Sequence, residues 1–207
     1  MALNDSAVLT AAVGYVYTAP VGTAAPTASA LDTINLADTS TWGAGLTVWD
    51  SVGHTSRGDM PEFGFDGGDT EVRGTWQKKK LKEVTTEDPV DYLLIYLHQF
   101  DEDALALYYG PNASSTPGEF AVSGSADPTE KAFFVVIEDG DVRIGFHAAK
   151  ASVRRDDAIQ LPVDEFASLP VRATFLNHNS EPLFKWINED LFPNAGSGGG
   201  SGGGGDD

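Results

Sequence analysis

KAFFVVIEDGDVRIGFHAAKASVRRDDAIQL, residues 131–161, decides the fold. Two runs, FFVVI (133–137) and VRIGF (142–146), are rich in β-branched and aromatic residues, which suit a pleated surface. Asp139–Gly140 stands between them and suits the positive φ angles of a type I′ hairpin turn. A further strand is expected over about 150–158 and another near 170–177. Val142, Ile144 and Phe146 fall on one face by the two-residue period, so His147 is expected on the other.

Working outward, LTVWDSV (46–52) reads as a strand. In DTEVRGTWQKKKLKEV (69–84), Val72, Gly74 and Trp76 alternate with Glu71, Arg73, Thr75 and Gln77, the pattern of a half-exposed strand. A helix is expected over about 88–99. Asp88 suits an N-cap, Pro89 a first helical turn, and Leu93, Tyr96, Leu97 and Phe100 follow at helical spacing. A short helical turn is expected near 102–107. The chain is therefore mainly β, a β-sandwich or β-barrel with one flanking α-helix. Residues 1–45 read as an extended N-terminal arm, 46–192 as the β-sandwich domain and 193–207 as a flexible Gly/Ser tail.

Composition narrows the chemistry. The 207 residues carry 31 acidic and 13 basic side chains, a net charge of −18. That balance opposes tight grip on a DNA backbone, which needs basic patches. With no cysteine, disulfides, thiolate metal sites and cysteine nucleophiles are excluded. The N-terminus lacks the basic leader of a signal peptide. No stretch approaches the roughly 18 apolar residues of a membrane span, so no membrane insertion by this chain is expected.

GHTSRGDMPEFGFDGGD (53–69) looks at first like a site. Asp59, Glu62, Asp66 and Asp69 match no EF-hand ligand order, and no HExxH motif is present to hold zinc. In so acidic a chain a close carboxylate pair is weak evidence for glycoside hydrolysis. His54, His98, His147 and His178 are the only histidines, and no GxSxG elbow, P-loop or GxGxxG accompanies them. No enzyme, metal or cofactor is expected. Lys78, Lys79, Lys80 and Lys82 run straight into Glu83 and Glu87. They read as a solvated strand end or a contact for another subunit's acidic surface. Aromatic and apolar residues in loops and arms often mark partner surfaces. Met60, Phe63, Phe65, Tyr15 and Tyr17, with Trp186 and Phe192, therefore either meet a partner or fold back on their own core.

The segments AVLTAAVGYVYTAPVGTAAP (7–26), VGHTSRGDMPEFGFDGGDTEVRGTWQ (52–77) and LPVRATFLNHN (169–179) resemble the major tail proteins, or tail tube proteins, of long-tailed actinobacterial phages (siphophages). The resemblance implies a tail-tube-type β-sandwich subunit. It implies hexameric rings stacked around a tape-measure protein, with an inner β-barrel wall that conducts DNA without specific binding. Tail terminator and distal tail proteins are the further partners implied, with a place in the virion tail and in host cytoplasm before assembly. On this reading His54, Met60, Phe63, Phe65, Tyr15 and Tyr17 make inter-subunit or inter-ring contacts. Glu71, Arg73, Thr75, Gln77, Arg143 and His147 are the candidates for the lumen. The competing reading is a virion-associated or secreted β-sandwich module that binds carbohydrate or calcium through the acidic loop.

Overall fold

The computed structural model describes residues 3–4, 7–59, 61–124 and 128–193. In chain order the elements are β1 (Val13–Ala19), α1 (Ala28–Leu31), β2 (Asp50–Ser51), β3 (Glu62–Asp66), β4 (Thr70–Arg73) and β5 (Lys82–Thr85). There follow β6 (Val90–Leu97), α2 (Glu102–Tyr109), β7 (Thr129–Asp139), β8 (Val142–Arg155), β9 (Leu169–Phe175) and β10 (Lys185–Ile187). The main sheet runs β2-β1-β7-β8-β9-β6-β3, with β10 also on β8, and every pairing is antiparallel. Mainly β architecture is thus as expected.

The β7–β8 hairpin is the spine. Gly140 takes φ 60 at its turn, a left-handed conformation that glycine adopts without strain. The strands expected over 142–146 and 150–158 are one 14-residue strand, β8. It is bent by a bulge: Phe133 pairs with Ala148 while Lys131 pairs with Ala151. The extra residue in β8 flips the parity of its side chains and increases local twist. Phe146 and Ala148 before the bulge, and Ala151 and Val153 after it, therefore face the same core.

Both faces of the spine are covered. Phe133 and Val135 join Val16, Leu93, Ile95, Leu97, Leu169 and Val171 in one core, under α2. Ala132, Phe134 and Val136 point the other way, into a second core with Tyr17, Leu31, Trp42 and Trp49. Burial on both sides is why AFFVV is continuously apolar instead of alternating. Val16 of β1 shares a core with β6 although three strands lie between them. The sheet must curl to allow this. A groove of about 220 Å³ marks the seam, lined by Tyr15 and Val16 of β1, Phe63 of β3 and Ile137 of β7.

Two expectations are corrected. No helix spans 88–99; residues 90–97 form strand β6. Leu93 and Leu97 satisfy both periods, but the fully buried set is Leu93, Ile95 and Leu97, which is period two. The helix begins one segment later, at α2. There the Asp101 carboxylate accepts from the Ala104 N–H at 3.0 Å, and Glu102 and Asp103 stand in the first turn. The second concerns the expected N-terminal arm, whose described residues from 13 onward pack on the domain. β1 pairs with β7 along all seven residues, from Val13↔Glu138 to Ala19↔Ala132. The chain from 20 to 49 then roofs the second core. Its polar indoles are satisfied there, since Trp42 Nε1 donates to the Asn35 carbonyl at 2.8 Å and Trp49 Nε1 to that of Ala24 at 3.1 Å. Low charge and frequent turns made this segment look extended; burial of its tryptophans holds it down. Residues 194–207, which hold nearly all of the expected flexible tail, lie outside the described residues.

Candidate assembly surfaces

β3 and β6 pair from Glu62↔Leu94 to Asp66↔Val90. Beyond Asp66, Gly67 and Gly68 take φ 73 and 79 and redirect the chain. β4 and β5 then pair only with each other. At their base the Asp69 carbonyl accepts from the Thr86 N–H at 2.8 Å. At their tip, Thr75 and Lys78 exchange backbone hydrogen bonds of 2.7 and 3.1 Å. A Cβ on Gly74 would fall 2.3 Å from the Lys79 carbonyl oxygen, so the tip closes only over glycine. The result is a hairpin outside the main sheet. No layer covers its apolar face: Trp76 is 99% exposed, and Val72 and Leu81 are more than half exposed. Five of the 13 basic residues of the chain lie within 70–85, against two acids.

At the opposite end of β6 a second surface forms. The turn 56–59, His98 and the loop 160–168 enclose a cleft of about 720 Å³. Its rim carries Asp59, Asp164 and Glu165, and its loop exposes Val163 at 98% and Phe166 at 81%. The Phe166 ring leans on His98 at 5.6 Å. This stretch falls between the strands expected over about 150–158 and near 170–177. The available signal was LPVDEF (161–166), which places Leu161, Val163 and Phe166 among turn-forming and acidic residues.

The sequence profile of the phage tail tube protein matches residues 1–198. The chain is 66% identical over 199 residues to the major tail protein Gp23 of Mycobacterium phage D29, covering 96% of this chain and all of the relative. It is 65% identical over 192 residues to Gp23 of Mycobacterium phage L5, covering 93% and 96%. The chain belongs to the phage tail tube protein family. The resemblance drawn from residues 7–26, 52–77 and 169–179 therefore holds for the chain as a whole, and the family is one of virion structural proteins.

Within this tail tube protein the residues singled out from sequence separate into three groups. Tyr17 is fully buried, meets Trp42 edge-to-face at 4.9 Å and donates its hydroxyl to the Leu36 carbonyl at 2.6 Å. It serves its own core, so its expected role between subunits is withdrawn; Tyr15 is half-buried against the same cluster. Phe63 also folds back, packing on Phe146 at 4.5 Å and Trp186 at 5.2 Å. Phe65 remains 65% exposed. His54 is exposed at the cleft end of the sheet, its N–H donating to Gln99 Oε1 at 2.6 Å. Met60 lies outside the described residues.

The lumen candidates divide as well. Glu71 and Arg73 pair with each other at 3.1 Å on exposed β4, while Thr75 and Gln77 sit at the hairpin tip. Arg143 is no free wall residue. Its guanidinium donates to the carbonyls of Leu31, Asp32 and Ile34 at 3.1–3.3 Å and pairs with Glu138 at 3.1 Å. R143A is expected to cost about 1.5–3 kcal/mol, because carbonyls bonded to a charged donor lose it. R73A should stay within about 0.5 kcal/mol. Urea denaturation of the two variants checks the contrast.

His147 is buried as well, so it too leaves the lumen set. The two-residue period placed it opposite Phe146 correctly, but that face holds the second core. Its ring packs on Trp49 at 5.9 Å and its Nε2 bonds the Thr23 carbonyl at 2.9 Å. Burial lowers its pKa below the ordinary 6.5, outweighing the bond to Thr23 that raises it. The unfolded chain therefore binds this proton first as pH falls. Above pH 6.5 both states are neutral and the histidine adds no slope. Below it, stability drops by up to about 1.4 kcal/mol per pH unit until the folded-state pKa is reached. Calorimetry from pH 7.5 to 5 should show this slope in the native chain and lose it in H147Q.

Two acids of the 53–69 stretch bond within their own chain. Asp66 pairs with Arg172 of β9, whose guanidinium lies 3.5 Å over the Tyr92 ring. Asp59 accepts from the Ser56 hydroxyl at 3.3 Å. Among the described residues no three His, Asp or Glu side chains are grouped as metal ligands.

Proposed function

We propose that the chain is the structural subunit of a siphophage tail tube, forming hexameric rings stacked around a tape-measure protein. The likeness over nearly the full length to two major tail proteins carries this reading. Two features of the fold support it. The curled sheet ends on one side at β3, whose outer edge has no strand partner among the described residues. Such an edge is a ready template for pairing with another copy. The exposed hairpin and cleft supply further surface for successive rings.

The finished tube would conduct DNA from capsid to host in ejection, with terminator and distal tail proteins at its ends. The subunit would pass through host cytoplasm before joining the virion tail. A net charge of −18 suits a conduit that repels phosphate. Glu71, Arg73, Thr75 and Gln77 are better read as contact residues than as lumen wall. Among the described residues β4 and β5 pair only with each other and stand outside the main sheet, whose curled strands and free edge suit a wall better.

Sedimentation velocity over a concentration series, with and without calcium, tests the reading. Fast-sedimenting assemblies that grow with concentration and ignore calcium are expected. A monomer at every concentration, stabilised by calcium, would replace the tube subunit with a calcium-binding module.

A further inference from the structure

We propose that the β4–β5 hairpin of one copy seats its Trp76 tip in the cleft between the 56–59 turn and the 160–168 loop of a second copy. This contact rests on the tube reading above and names the surfaces that join one ring to the next.

Topology comes first. β3 and β6 run antiparallel, so the hairpin leaves them at the Asp66/Val90 end. The cleft lies at the other end, where Leu97 pairs with both Thr55 and Leu169. Seven residue steps along β6 separate the two ends, roughly 23 Å at 3.3 Å per residue. The hairpin does not occupy its own cleft: Trp76 is 99% exposed and no hairpin residue lines the cleft. Two complementary surfaces at opposite ends of one subunit make a head-to-tail contact, and such contacts close into rings or propagate into open stacks instead of closing in pairs.

Chemistry matches the two ends. Lys78, Lys79, Lys80 and Lys82 make no ion pair within their own chain among the described residues. The cleft offers Asp59, Asp164 and Glu165 against one permanent cation, Arg57, and neither Asp164 nor Glu165 is ion-paired there. Opposed patches of this kind steer association and fix register. Between the charges, each surface exposes large apolar side chains: Trp76 on the hairpin, Val163 and Phe166 at the cleft. A tryptophan entering an aromatic-edged cleft ringed by charge has the anatomy of an interface anchor. The hairpin has five basic residues against two acids in a chain of net charge −18, and the second copy is the partner that brings matching acid at fixed spacing.

The chain has no cysteine, so Q77C, beside Trp76, and Q160C, on the cleft lining, can be combined and joined with a short bismaleimide. Both positions are exposed and outside either core, and the substitutions leave Trp76, Val163 and Phe166 in place. The double variant should give a ladder of covalent oligomers, with peptide mass spectrometry joining residue 77 to residue 160. Each single variant should stop at dimers. Adding K78E, K79E and K80E to the double variant should reduce the ladder at least tenfold, and D164K with E165K in the same chain should restore it. A double variant that stops at dimers, links other than 77–160, or no restoration on charge reversal overturns the proposal. Electron microscopy of the same samples separates the two readings. Tubes without the ladder sink this contact alone, and a ladder without tubes sinks the tube reading alone.

Discussion

F146A is expected to cost about 3–5 kcal/mol, the range for truncating a buried aromatic. Phe146 sits where four rings meet: Phe63 at 4.5 Å, Trp186 at 5.0 Å, Phe175 at 5.2 Å and Phe184 at 5.4 Å. Those rings come from β3, β9, β10 and the segment before β10. One truncation therefore loosens the last strand of the main sheet, the C-terminal strand and the spine together. Against a total stability of about 5–15 kcal/mol the loss is large. For a chain of this length it lowers Tm by roughly 6–20 °C. F65A, at an exposed position two residues from Phe63, should stay within about 0.5 kcal/mol. Scanning calorimetry distinguishes them, and equal shifts would contradict the packing described for β3.

Excision of residues 70–85, with Asn-Gly joining Asp69 to Thr86, is expected to spare the fold and abolish tubes. The Asp69 carbonyl already meets the Thr86 N–H at 2.8 Å, so a two-residue turn closes the gap. No residue of β4 or β5 belongs to either core. Tm should move by no more than a few degrees, while assembled material falls at least a hundredfold. Excision of 54–68 should do the opposite damage. It removes the whole of β3, its five-residue ladder with β6, and Phe63 from its aromatic cluster. That chain is expected to be unfolded. Circular dichroism and pelleting of both variants measure fold and assembly separately, and normal tubes from the first would refute the role given to the hairpin.

The contrast between these two excisions shows what was legible in the sequence. FFVVI-EDGD-VRIGF specified its hairpin because turn chemistry and side-chain preference agree there. The same local reasoning failed at residues 88–99, where Asp-Pro mimics a helix start and Leu93/Leu97 fit both periods. Only the covering of Ile95 by β9 and the first core decides for a strand. His147 failed for a related reason. Alternation assigns a residue to a face, but it does not say whether that face is wet, and here residues 20–49 roof it. At residues 70–77 the error ran the other way. Val72 and Trp76 alternate like a buried face, yet the hairpin has left the sheet and nothing covers them. For the assembly surfaces, Phe65 and the lysine cluster were visible in sequence. The cleft was not, because residues 56–59, 98 and 160–168 converge only through the β6–β9 pairing.

A cryo-EM map of tubes assembled from the purified chain tests the account most directly. The expected map has rings of six copies, stacked in one direction, with the β4–β5 hairpin ordered and Trp76 buried against the 160–168 loop of the next ring. Rings that stack with the hairpin projecting free into solvent, or filaments without sixfold rings, would contradict it.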